Sequence, residues 1–230
     1  MPKVIKKKTA KPTKTEEGVK NVLHHTKEFI SEKQRILFPA VIALVVIAVA
    51  VAGFLIYRSN VRNQAAALEY EGYKIYYGLY QKQPFQKEER YQKALEKFRK
   101  AYDAHKSPFS LFYIAGCYYN LGKYDDALKT LKELNERFPD DERFVPLSYY
   151  KMAVITLRKG DREGYLKLLD ILYNYRTSSF KDLALVESAR MLDAMGKKED
   201  AAKKYEELTK NFPESPFVEE AKAKLGGKKS

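Results

Sequence analysis

Three histidines, a single cysteine and a scatter of turn carboxylates are the residues whose types could do chemistry. Their spacing assigns them to other work. His24 and His25 are adjacent, so on a helix their side chains point about 100° apart and make poor joint metal ligands. His105 falls near a helix end, where a cation is favourable against the helix dipole. Each histidine lies in or beside a charged stretch, so no Ser/His/Asp set is formed. There is no G-x-G-x-x-G and no P-loop; Gly226-Gly227-Lys228 is too short and sits at the tail. Cys117 stands mid-helix among Ala115, Gly116 and Tyr118, which reads as a buried small apolar residue, and alone it forms no internal disulfide. Asp125, Asp126, Asp140 and Asp141 sit in turns, where Asp caps helices. The expectation is a protein that is not an enzyme and needs no cofactor, metal or small-molecule substrate.

Binding remains, and the elements that would position it begin with Ile36–Tyr57, ILFPAVIALVVIAVAVAGFLIY, 22 residues without a charge. As a helix this run spans roughly 33 Å, against a hydrocarbon core of about 30 Å. Only a helix satisfies every backbone group of such a span without water. Pro39 is expected in its first turn and Tyr57 at its far interface. Ala50-Val51-Ala52 has the form of a cleavage site, but Phe54-Leu55-Ile56-Tyr57 follows it and the leader is long, so an uncleaved signal anchor is expected. The span divides the chain into residues 1–35, a basic arm carrying an amphipathic helix, the transmembrane helix 36–57, a helical domain 58–225 and a frayed tail 226–230.

Net charge is +13, and residues 1–36 hold ten Lys/Arg and four Glu. Lys3, Lys6, Lys7, Lys8, Lys11 and Lys14, with Pro2 and Pro12, read as a disordered cationic arm. Thr13-Lys14-Thr15-Glu16 has the form of a capping box, and Val19, Val22, Leu23, Thr26 and Ile30 make the weak apolar stripe of a helix suited to an anionic leaflet. The Lys/Arg excess before the span, against Arg58, Arg62 and Lys74 after it, places the N-terminus in the cytoplasm.

After the span, Ala65, Leu68, Gly72, Ile75, Tyr76 and Leu79 form an apolar helical stripe through 58–80, with Tyr70, Tyr73, Tyr76, Tyr77 and Tyr80 clustered and a loop at Gln81–Glu88. Then a repeat appears. Leu111–Pro139, Tyr149–Thr177 and Leu185–Pro213 align on Gly122, Gly160 and Gly196, at intervals of 38 and 36 residues. Each is a helix, a glycine turn and a second helix. Ala115, Ala153 and Ala189 stand seven residues before the glycine, and Ala127, Tyr165 and Ala201 five after it. Small residues there let antiparallel helices approach closely, while Leu131, Leu134, Met152, Leu169, Leu172, Tyr205 and Leu208 fill the space between hairpins.

Gly122-Lys123-Tyr124-Asp125-Asp126-Ala127 with closing Pro139, and Gly196 with Ala201 and Pro213, resemble the tetratricopeptide repeat. The Gly160 copy departs from it at Tyr165 and Thr177. Tyr91, Ala94, Phe98 and Ala101 look like the second helix of an earlier, looser repeat whose partner is 60–80. The resemblance implies an all-α fold: one transmembrane helix followed by an α-solenoid of about 3.5 helical hairpins, ending in a capping helix at Pro216–Leu225.

By that family's helix geometry, the first helix of each hairpin lines a groove into which Phe112, Tyr113, Tyr119 and Asn120 point. Tyr150, Lys151, Leu157 and Arg158 follow, then Glu187 and Arg190. Aromatics with scattered positive charge suit protein binding. Paired Lys/Asn residues of the kind that clamp chain-end carboxylates in some chaperone-binding repeats are not evident. A basic arm, one span and about 3.5 repeats together resemble the ancillary SecYEG translocon subunit family. That resemblance implies a bacterial inner-membrane scaffold with a periplasmic domain, bound to the translocon, periplasmic chaperones or emerging chains. The alternative is a structural subunit of an envelope assembly or cell-division machine. Nucleic acid is not an expected partner, because Lys129, Lys132, Glu133 and Glu136, like Lys203, Lys204, Glu206 and Glu207, alternate as on a solvated face.

Overall fold

The computed structural model describes residues 14–79, 85–177 and 179–226, with the side chains of 14–21, 24–25 and 28–36 excepted. The expected arm at 1–13, Tyr80, loop residues 81–84 and the tail at 227–230 lie outside the described residues. Every regular element among those described is a helix. The chain forms two compact units, Met1–Ser59 and Asn60–Ser230.

The first unit is built on the first part of α1, Lys14–Tyr77. Every described side chain from Leu37 to Ser59 is exposed, including Phe38, Leu44, Ile47, Phe54 and Tyr57. Among the described residues this is the one helix long and apolar enough to cross a membrane. Pro39 differs from expectation. Because the helix begins at Lys14, Pro39 is interior rather than in a first turn. There it removes the backbone bond that an N–H would make to Arg35.

Among the described residues the second unit contains the last turns of α1 and eight further helices: α2 Lys87–Ala104, α3 Pro108–Asn120, α4 Tyr124–Arg137, α5 Phe144–Arg158, α6 Arg162–Tyr173, α7 Lys181–Ala194, α8 Lys198–Asn211 and α9 Val218–Gly226. Consecutive helices pack against one another from α2 to α9, and α3 also touches α5. This is the one-dimensional, neighbour-to-neighbour packing of a helical solenoid. The period of the sequence explains it. In α4, Ala127, Thr130, Leu131 and Leu134 share one buried face, Asp125 and Asp126 occupy the first turn, and Arg137 the last, each sign favourable to the dipole. Helix α3 has few polar residues and is buried on several sides, against α2, α4 and α5.

The three turn glycines recur as one motif. Gly122, Gly160 and Gly196 have φ of 73°, 89° and 76°. Lys123 N donates to Tyr118 O at 2.9 Å, Asp161 N to Thr156 O at 3.2 Å and Lys197 N to Leu192 O at 2.9 Å. Each closes the preceding helix with a left-handed residue and a bond reaching back five positions, so its last carbonyls are satisfied. A Cβ on Gly196 would meet nothing within 4 Å. Gly196→Ala therefore costs backbone strain alone, about 1 kcal/mol, read as a lower urea midpoint at unchanged slope.

Ala115, Ala153 and Ala189 are fully buried, and Ala127 and Ala201 nearly so or completely. Tyr165, in the small-residue position of the Gly160 copy, is also buried. Its ring is taken up by α5 and α7, and its hydroxyl donates to Glu187 Oε2 at 2.7 Å. The stripe on α1 is buried at Ala65 and Gly72 and half-buried at Leu68, Ile75 and Tyr76. Leu79 is exposed, because the helix has ended at Tyr77.

Candidate protein-binding groove

Helix α3 starts at Ser107, whose hydroxyl accepts from Ser110 N at 3.0 Å, with Pro108 in the first turn. Both serine hydroxyls donate to Glu69 of α1, from Ser110 at 2.7 Å. In the turn before α5, the Asp141 carboxylate accepts from Arg143 N at 3.1 Å and from Phe144 N at 2.7 Å. These bonds fix the register of the helices that carry most of the expected groove residues.

The residues expected to line the groove fall into three sets. Phe112, Tyr119, Lys151 and Arg158 come together. Lys151 Nζ lies 5.1 Å from the Phe112 ring centroid and 5.7 Å from that of Tyr119, and Arg158 lies 5.6 Å from the same Tyr119 ring. A cation above an aromatic face is attracted by the ring quadrupole. Burial pulls the Lys151 ammonium below the ordinary lysine range, an effect partly offset by Cys117. Arg158 is exposed, and its guanidinium reaches the Tyr124 hydroxyl at 3.4 Å.

Tyr113 and Asn120 are engaged toward the solenoid's first helices. The Tyr113 ring stacks on Phe98 at 5.1 Å and meets Tyr73, Tyr76 and Phe109 at 5.6, 5.4 and 4.6 Å. Asn120 Nδ2 donates to Tyr76 OH at 2.9 Å and to Gly116 O at 2.8 Å. Gly116 makes that approach possible, since a Cβ there would lie 3.0 Å from the Tyr76 hydroxyl.

Tyr150, Glu187 and Arg190 form the third set, and half-buried Leu157, like Tyr150, packs against the core around Tyr165. Burial, and then Glu187, raises the Tyr150 phenol. Glu187 accepts from Tyr165 and from Arg190 Nη1 at 2.7 Å, while Arg190 Nε donates to Glu220 at 2.9 Å. Glu187 and Arg190 are thus paired within the solenoid.

The aromatic wall contributed by α1 and α2 is absent from the expected set. Tyr73, Tyr76, Tyr77 and Phe98 surround Tyr113, and Tyr76 also meets Tyr91 at 5.3 Å. The spacing of 73, 76 and 77 put these tyrosines on one helix face, which is the signal that could have paired them with α3. Among the described residues no group of three or more His, Cys, Asp or Glu is arranged to hold a metal. Cys117 is buried and its thiol pushed up to about 12, chiefly by burial. A thiol held protonated in this way is a poor nucleophile.

Tandem antiparallel hairpins closed by the same glycine turn, with aromatic residues on the first helices α3 and α5, define a helical-repeat module. Tetratricopeptide repeat family models match residues 85–147 and 183–215, so over those two stretches the chain is similar to that repeat. No curated protein matches the chain. Among solved structures the chain is similar to MamA protein at 18% identity, over 59% of this chain and 70% of that one, with a TM-score of 0.45. It is similar to the TPR2AB-domain:pHSP90 complex of yeast Sti1 at 22% identity, over 71% of each chain, with a TM-score of 0.44. A Podosopora anserina protein of nearly identical TPR-like repeats aligns at 14% identity over 74% of this chain and 84% of that one, TM-score 0.49.

Proposed function

We propose that this protein is a membrane-anchored scaffold that binds other proteins on the α3–α5 face of its repeat domain. The observation that carries the reading is the arrangement of Phe112, Tyr119, Lys151 and Arg158: aromatic area and two cations on adjacent first helices of a repeat solenoid. Aromatic rings supply contact area at little entropy cost, and cations set orientation and partner choice. The anchor is residues 36–57. Its support is the exposure of every described apolar side chain there, an arrangement that water penalises and a bilayer does not. The lysines that precede it favour a cytoplasmic arm at 1–35 and a repeat domain, 58–225, on the periplasmic side of a bacterial inner membrane. In that setting the partners are the secretion translocon, periplasmic chaperones or emerging chains.

The test is a photocrosslinking residue at Tyr119 or Tyr150 of the full chain in living cells, with trapped partners identified from extracted membranes by mass spectrometry. Translocon subunits, periplasmic chaperones or nascent secreted chains are the expected products. A single stoichiometric envelope component would replace this reading with a structural one. Crosslinks to cytoplasmic proteins alone would invert the topology.

A further inference from the structure

Several lysines and arginines of the solenoid are paired with an acid. Lys97 pairs with Glu71 at 2.7 Å, Lys224 with Asp193 at 2.8 Å, and Arg190 with Glu187 and Glu220. Lys151 is different. Its ammonium is half-buried between two rings, and among the described residues no carboxylate lies within ion-pair distance of it. Arg158, two turns further along α5, reaches the Tyr124 hydroxyl and the Tyr119 ring, and among the described residues it has no carboxylate within ion-pair distance. Glu187, on the next first helix, is held by Tyr165 and Arg190. Burying a cation without a counter-charge is costly, and a desolvated cation gains more from an arriving anion than a hydrated one does.

Resting on the groove reading above, we propose that the α3–α5 face receives acidic side chains, Asp or Glu, from an extended segment of a partner protein. One carboxylate meets Lys151 and a second, three residues along the segment, meets Arg158, beside the Tyr119 ring that both cations face, with the Phe112 ring as the apolar floor. A side chain rather than a chain end is the occupant, because capture of a terminal carboxylate calls for neutral donors around the cations. The amide that could serve, Asn120, has both donor bonds directed inward to Tyr76 and Gly116. An extended segment fits the two cations because they stand seven residues apart on one helix, about 10 Å along its axis, a distance that some three residues of extended chain cover.

The test uses the full chain in detergent and short fluorescein-labelled peptides of alternating Leu and Ser. One carries two Glu three residues apart, another two Gln, and each is made with an amidated and with a free C-terminus. Anisotropy is expected to give about tenfold tighter binding for the Glu peptide, whether amidated or not, with a gap that narrows as salt rises. Lys151→Gln is expected to bring the Glu peptide to the level of the Gln peptide, and Lys151→Arg to retain the difference. Arg158→Gln, at an exposed site, repeats the test should Lys151→Gln fail to fold. Equal binding of Glu and Gln peptides, affinity that follows the free C-terminus, or no binding by any peptide would overturn the proposal. Crosslinks from Tyr150 that persist undiminished in Lys151→Gln would sink it while leaving the groove reading intact. A wild-type chain that gives no crosslinks from either position would sink the groove reading itself.

Discussion

Replacing Phe98 by Ala is expected to lower the unfolding free energy of the repeat domain by about 3–5 kcal/mol, among the largest effects of any single substitution in this chain. Phe98 is completely buried in α2. Its ring stacks on Tyr113 of α3, lies 6.2 Å from Phe109, and fills the space over Gly72 of α1. Gly72 has no side chain to move into the void, so the site cannot collapse and the cost falls at the upper end of the range. The same contact makes a reciprocal case. A Cβ on Gly72 would lie 2.9 Å from the Phe98 ring, and a ring buried on all sides cannot swing away. Gly72→Ala is therefore destabilising alone and less so beside Phe98→Leu. Urea unfolding of the four chains, followed by tyrosine fluorescence, measures this non-additivity. A loss below about 1 kcal/mol for Phe98→Ala would show that α1 does not pack on α2 as described.

The second large effect is alkaline unfolding. Burial raises the phenols of Tyr76, Tyr113 and Tyr165 well above the ordinary value of 10.0, and neighbouring acidic groups add to it: Cys117 and Tyr91 at Tyr76, Tyr77 at Tyr113, Glu187 at Tyr165. Tyr102 is pushed up to about 12, by burial and then by its hydrogen bond to Glu133. A raised folded value means that the folded chain holds protons that the unfolded chain releases. The associated stability is complete below pH 10 and is lost as pH climbs from there through the folded values. Lys151 acts with the opposite sign, since its lowered value is a penalty that deprotonation relieves, but it is one group against four. The urea midpoint should fall steeply between pH 10 and 12, with tyrosinate absorbance rising together with the loss of helical signal. Tyr165→Phe should flatten the fall. Tyrosinate absorbance that rises fully while the helices remain intact would contradict the burial described for these rings.

The repeat was legible because its signals are local. A glycine with positive φ, small residues at fixed offsets and an apolar stripe of helical period all act within one hairpin. They located α3 to α9 and their turns. Tyr165 shows where that logic stops. A large residue in a small-residue position is accommodated by its neighbours across two hairpins, and its hydroxyl then holds Glu187. The packing of α1 on α2 and α3 was less legible, for Gly72 meets Phe98 and Tyr76 meets Asn120 and Gly116 across 26 to 44 positions of sequence. The state of the cations was not legible at all. Arg190 and Lys151 look alike in the sequence, yet Arg190 finds Glu220 on α9, while among the described residues Lys151 finds no acid.

The last helix shows how unevenly this domain is held. Around Phe98 and Tyr113 the cohesion comes from interlocked rings, which salt leaves almost untouched. At α9, besides Val218, Ala221 and Leu225, it comes from the ion pairs of Arg190 with Glu220 and of Lys224 with Asp193. Exposed pairs of this kind weaken as ionic strength rises. Amide hydrogens of α9 should therefore exchange early, and earlier still in concentrated salt, while those of α3 keep their pace. Such a molecule frays from one end on command of its electrolyte, and offers a rigid aromatic surface at the other under every condition in which it stays folded.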